Sequence, residues 1–74
     1  MYREEAIAYL VAELDRAQEM FPRFQSKHEG YAVILEELDE LWETIKSKTM
    51  TEEQILDEAT HVAAMATRFL IDCC

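Results

Sequence analysis

Val62-Ala63-Ala64-Met65-Ala66-Thr67-Arg68-Phe69-Leu70-Ile71 is the stretch that decides the fold. At 100° per residue its apolar side chains cover far more than one face of a helix, and only Thr67 and Arg68 interrupt them. Two other short helices do not supply that much cover. Val33 adds to the excess, since it lies on the opposite side of its own helix from Leu35. The expectation is an all-α protein: an antiparallel three-helix unit that assembles into a homo-oligomeric helical bundle, a homodimer or homotetramer. Its interface is expected to be built largely by this last helix and one edge of the helix before it, with Ala59, Ala63 and Ala66 permitting close approach.

Working outward, Thr51-Glu52-Glu53-Gln54 is a capping box that opens the third helix, and Ser26-Lys27-His28-Glu29 is another that opens the second. Tyr31, Ile34, Leu35, Leu38, Leu41, Trp42 and Ile45 form the expected core stripe of the second helix, and Ile7, Leu10, Val11, Leu14 and Ala17 that of the first. Pro22 stops the first helix. The helices are expected at about 3–20, 27–47 and 52–72 of one domain spanning 1–74, and the short connections predict antiparallel packing of consecutive helices. One glycine and one proline in 74 residues leave too few turn formers for a sandwich or barrel.

Sixteen acids against seven bases give a formal charge of -9. That balance argues against a nucleic-acid polymer or an anionic lipid surface as partner. No apolar run approaches the length of a membrane span, and Met1-Tyr2-Arg3-Glu4-Glu5 is no signal-peptide core. The expected setting is soluble and cytoplasmic. Cys73 and Cys74 are neighbours without metal-ligand spacing and read as reduced thiols in a lightly packed tail.

The acids are concentrated. Residues 29–58 hold ten of them, opposed only by Lys46 and Lys48. Glu37 and Glu40 stand i, i+3 on the second helix and flank its core stripe, while Asp39 and Glu43 face away. Glu58 lies one flank off the apolar face of the third helix, with His61 at i+3. Antiparallel packing brings the two pairs together, and an inward carboxylate cluster is costly without a compensating cation. Carboxylate oxygens favour Mg²⁺ or Mn²⁺. The solvated-face reading remains open for these glutamates, as does a packed or surface role for His61.

Glu36-Glu37-Leu38-Asp39-Glu40, followed on the next helix by Glu58-Ala59-Thr60-His61, resembles the Glu-Glu-x-x-Glu and Glu-x-x-Asp signature of the all-α nucleoside triphosphate pyrophosphohydrolases of the MazG-like superfamily. The short single-domain phage and bacterial members are the nearest in kind. The likeness runs from His28-Glu29-Gly30-Tyr31-Ala32-Val33-Ile34 to Val62-Ala63-Ala64-Met65-Ala66. It implies Mg²⁺, or Mn²⁺, held by Glu37, Glu40 and Glu58, with His61 at the family's fourth, acidic position. It also implies cleavage of a nucleoside triphosphate to monophosphate and pyrophosphate, in a dimer or tetramer. The imidazole replaces a charged hard oxygen with nitrogen, which suits Mn²⁺, Fe²⁺ or Zn²⁺ better than Mg²⁺.

In such an enzyme Glu36 is the residue to position or deprotonate the attacking water. Lys27, Lys46, Lys48 and Arg68 are the local cations for phosphate, and Tyr31 is an aromatic for the base; Trp42 falls within the core stripe. Two further readings stand beside this one. A non-catalytic di-metal bundle would use Glu58-x-x-His61 from two copies. A catalytically silent relative would serve as an oligomeric interaction module.

Overall fold

The computed structural model describes residues 1–74 as three helices: α1 (Arg3–Met20), α2 (Lys27–Lys46) and α3 (Glu52–Cys73). The sequence-based boundaries agree to within one residue. Both expected N-caps form. Thr51 Oγ1 accepts the Gln54 N–H at 3.2 Å while Gln54 Oε1 accepts the Thr51 N–H at 2.8 Å, a reciprocal capping box. Ser26 Oγ accepts the Glu29 N–H at 3.0 Å, but the Glu29 carboxylate reaches back to the N–H of Gln25 rather than to that of Ser26.

α3 is the central helix. It packs against both α1 and α2, which do not pack against each other. Pairing along α2 and α3 runs in opposite senses, with Gly30 beside Phe69 and Glu37 near His61. Pairing along α1 and α3 runs in the same sense, with Glu13 near His61 and Pro22 on Arg68. The expectation that consecutive helices pack side by side therefore fails for α1 and α2. The connection between them crosses the end of α3, because the helix that is apolar nearly all round takes the middle position and gains cover from two sides.

That connection is tied down by polar contacts. Asp72 Oδ2 accepts the Phe24 N–H at 2.9 Å, Asp72 Oδ1 lies 3.4 Å from Arg23 Nε, and Arg68 donates to the Pro22 carbonyl at 2.8 Å. Phe24 is thereby held in the small core with Ala17, Ala64 and Met65, against which Leu10, Val33, Ile34, Phe69 and Cys73 pack. Both cysteines are free thiols; Cys73 packs against the core and Cys74 is exposed.

The core is thin: seven of 74 residues are buried and no large side chain is wholly enclosed. The stripe expected to form the core of α2 is largely outside it. Tyr31, Leu35, Leu38, Trp42 and Ile45 are exposed, and α2 instead turns Gly30, Val33, Ile34, Glu37, Leu41 and Thr44 inward. The exposed set repeats at spacings of 4, 3, 4 and 3, a coiled-coil seam, and periodicity alone does not distinguish a chain's own core from a seam of that kind. Ile7 and Val11 of the α1 stripe are likewise exposed.

Gly30 explains how α2 and α3 approach at their upper end. A Cβ there would lie 2.6 Å from Cδ2 of Phe69 and 3.2 Å from Cδ2 of Phe24. Glycine inside a helix costs about 1 kcal/mol relative to alanine, whereas overpacking a fitted contact costs about 1–3 kcal/mol. Gly30→Ala should therefore melt several degrees below the parent in differential scanning calorimetry. A higher melting temperature would show that the Phe69 ring has room to swing aside.

Candidate metal centre and ligand trough

Because α1 and α2 stand apart on α3, a trough of about 430 Å³ opens between them. Its floor is one face of α3, His61, Met65 and Arg68 at i, i+4 and i+7; Glu13 and Arg16 line it from α1, Glu29, Val33 and Glu37 from α2, and Phe21, Pro22 and Phe24 from the connection.

At one end, ligand atoms of Glu37, Glu58 and His61 lie within 4.8 Å of one another. His61 Nδ1 is 3.7 Å from Glu37 Oε2 and 3.7 Å from Glu58 Oε2, too far for a hydrogen bond. Both carboxylate oxygens are shut off from solvent and have no hydrogen-bond partner. Two orphaned carboxylate oxygens converging on one imidazole nitrogen are costly without a proton or a cation. The donor set, two carboxylates and an imidazole, fits a divalent ion such as Mn²⁺, and Mg²⁺ through its oxygens.

The ionisation of the walls differs. Burial pushes the Glu37 carboxyl above its usual range; the charges of the neighbouring Glu40 and of Glu58 reinforce this, while His61 opposes. Across the trough the Glu13 carboxyl is held below its usual range, first by its hydrogen bonds to Arg16, then by the charges of Arg16 and His61, against a contribution from burial. Arg16 Nε lies 2.9 Å from Glu13 Oε2, and Glu13 Oε1 is 3.7 Å from His61 Nε2. His61 thus has carboxylates at both ring nitrogens.

The structure gathers some of the expected residues and leaves others outside. Glu37, Glu58 and His61 converge. Glu40 is exposed and acts on Glu37 rather than joining the close group. Glu36 is exposed and does not line the trough, since one residue along a helix is a turn of 100° away from Glu37. Lys27, Tyr31, Lys46 and Lys48 are also exposed and outside it, and Lys46 is engaged with Glu43 at 2.9 Å and lies over the Trp42 ring. The cations that do line it are Arg16 and Arg68.

Sequence reasoning missed Glu13. Its signal was an acid set within the α1 stripe, three residues after Leu10 and four before Ala17. Arg68, the single charge in the apolar run and seven residues from His61, is the one cation expected from sequence that lines the trough.

The raised Glu37 pKa has a sign that can be measured. Its stabilising contribution is complete below the unfolded value near 4.5 and is lost as pH rises through the higher folded value. In chelator-treated protein, Glu37→Gln should therefore melt above the parent at pH 7, with the gain shrinking towards pH 4. A gain independent of pH would mean that Glu37 carries no ionisation penalty in the fold.

No protein-family model matches the chain, and no curated protein or solved structure is significantly similar to it.

Proposed function

We propose that this protein is a divalent-metal-dependent nucleoside triphosphate pyrophosphohydrolase, releasing monophosphate and pyrophosphate. The observation that carries the reading is the pair of buried, unpartnered oxygens of Glu37 and Glu58 directed at His61, at one end of a trough of small-molecule size. The resemblance of Glu36-Glu37-Leu38-Asp39-Glu40 and Glu58-Ala59-Thr60-His61 to the MazG-like signature supplies the reaction class.

Glu37, Glu58 and His61 would hold the ion, with Glu40 beside Glu37 able to join them. A bound Mg²⁺ or Mn²⁺ supplies neutralisation of the triphosphate and a more acidic water. Glu13 faces the cluster from α1, and Arg16 keeps it ionised and fixed in direction. It is placed to accept a hydrogen bond from a water in the trough, the positioning role that the sequence assigned to Glu36. Val33, Met65 and Phe21 give the trough its apolar lining. One observation favours a second reading, a non-catalytic transition-metal centre: an imidazole stands where the related signature has an acid, and Glu58 and His61 do converge on Glu37.

Incubating the protein and Mn²⁺ or Mg²⁺ with a panel of standard and modified nucleoside triphosphates separates these readings. The enzyme should release pyrophosphate and monophosphate without orthophosphate. Glu37→Gln and Glu58→Gln should lower the rate by at least about a hundredfold, the scale for loss of one preorganised electrostatic group. His61→Asp should keep or raise activity with Mg²⁺. If neither parent nor His61→Asp releases pyrophosphate from any nucleotide, the enzyme reading fails; retained Fe²⁺ or Zn²⁺ binding would then leave the metal centre, and its absence the interaction module.

The active form we propose is a homodimer or homotetramer joined along α2. The protomer exposes 5534 Å², against roughly 4,700 Å² for a folded monomer of this mass. The excess is close to the ~800 Å² each partner gives up in a standard interface. Tyr31, Leu35, Leu38, Trp42 and Ile45 form the apolar seam to fill it; of the surface expected from sequence, α3 with one edge of α2, the α3 part is covered in places by α1 and α2 and leaves Leu70 and Ile71 exposed. Light scattering at micromolar concentration should give a dimer or tetramer, and Leu38→Glu should dissociate it. A parent running at 8.7 kDa would contradict the assembly.

A further inference from the structure

We infer that Arg68 forms a second, metal-independent anion subsite of the trough, receiving a phosphate group of an oligophosphate ligand two helical turns from the Glu37–Glu58–His61 cluster. This rests on the reading that the trough is the ligand site.

Arg68 is 4% exposed, and a guanidinium does not shed its charge on burial. In a chain with sixteen acids it has no carboxylate partner: the ion pairs of the molecule belong to Arg16, Arg23, Lys46 and His61. Asp72, one turn further along α3, is committed to the Phe24 N–H and to Arg23. Arg68 donates one bond to the Pro22 carbonyl at 2.8 Å, and its Nη1 leans on the Met65 sulfur at 3.4 Å. The rings of Phe24 and Phe21, 4.3 and 5.9 Å from its Cζ, offset the charge further. These contacts fix the guanidinium and leave it without an ion pair, although the Glu29 carboxylate lines the same trough.

The location defines the ligand. Arg68 and His61 line the same trough, seven residues or about 10 Å apart along one face of α3. One end requires a cation and the other lacks an anion. A ligand with a single carboxylate answers only one of these needs. A chain of linked phosphates answers both, because its oxygens ligate a hard ion and also match the planar fork of arginine. Of the four cations expected from sequence, Lys27, Lys46 and Lys48 are exposed and do not line the trough, and Arg68 does.

The test is a calorimetric and thermal-shift titration with inorganic tripolyphosphate in excess EDTA. The parent should be stabilised, and Arg68→Met, which keeps the apolar stem, should bind about tenfold more weakly or worse, as expected on losing charge-assisted hydrogen bonds. Arg68→Lys should fall between them. Glu37→Gln should bind tripolyphosphate more tightly than the parent, through relief of repulsion, while losing affinity for Mn²⁺. A parent unmoved by tripolyphosphate, or an Arg68→Met variant that binds as tightly, would overturn the proposal. Should Arg68→Met not fold, the Arg68 Nε–H resonance of the parent decides: it shifts on saturation if the subsite exists, and an unchanged signal overturns it. Loss of Mn²⁺ binding with tripolyphosphate binding retained would count against the metal reading alone.

Discussion

The apolar run from Val62 to Ile71 leaves water only if covered on more than one side, and the chain meets that demand by laying α1 and α2 along separate flanks of α3. The remaining architecture follows from this placement. Two helices that share a central neighbour but not each other leave a gap, and the floor of that gap is α3 itself. Every polar group α3 presents there is held on a rigid helix rather than a loop. His61, Met65 and Arg68 are consequently positioned by the same packing that fixes Ala64 in the core.

The trough is purchased with stability. Two carboxylates are aimed at one imidazole without donors, a guanidinium is buried without an anion, and the core that must support them is small. Natural proteins keep such locally unfavourable arrangements mainly where a site needs them. Glu37, Glu58 and His61 converge at one end, Arg68 stands about two turns away along α3, and Glu13 is paired with Arg16. A solvated acidic face would not show the burial of the Glu37 and Glu58 oxygens. No helix is long and apolar enough to cross a membrane.

Local signals carried most of the fold. Pro22, the Ser26 and Thr51 caps and the 3.6-residue periodicity located three helices almost to the residue, because caps and breakers act over a few residues. The arrangement of those helices was less legible. The 4-3-4-3 stripe from Tyr31 to Ile45 reads as a core, and only the packed structure shows that Gly30, Val33 and Thr44 win the inner face. For the site, the i, i+3 pairing of Glu58 and His61 with Glu37 opposite was visible in sequence. Glu13 was not, since the parallel course of α1 along α3 brings it to His61 from 48 residues away. The lysines of α2 were attractive by charge alone, and charge says nothing about which way a helix turns.

The most direct measurement is an NMR titration of the parent with substoichiometric Mn²⁺, read as paramagnetic broadening residue by residue. If the buried oxygens of Glu37 and Glu58 form one cation site with His61, the His61 ring and the amides around residues 37, 58 and 61 should broaden first and together. Broadening spread evenly over the acidic segment, or centred on the outward-facing Asp39 and Glu43, would contradict a metal centre in the trough.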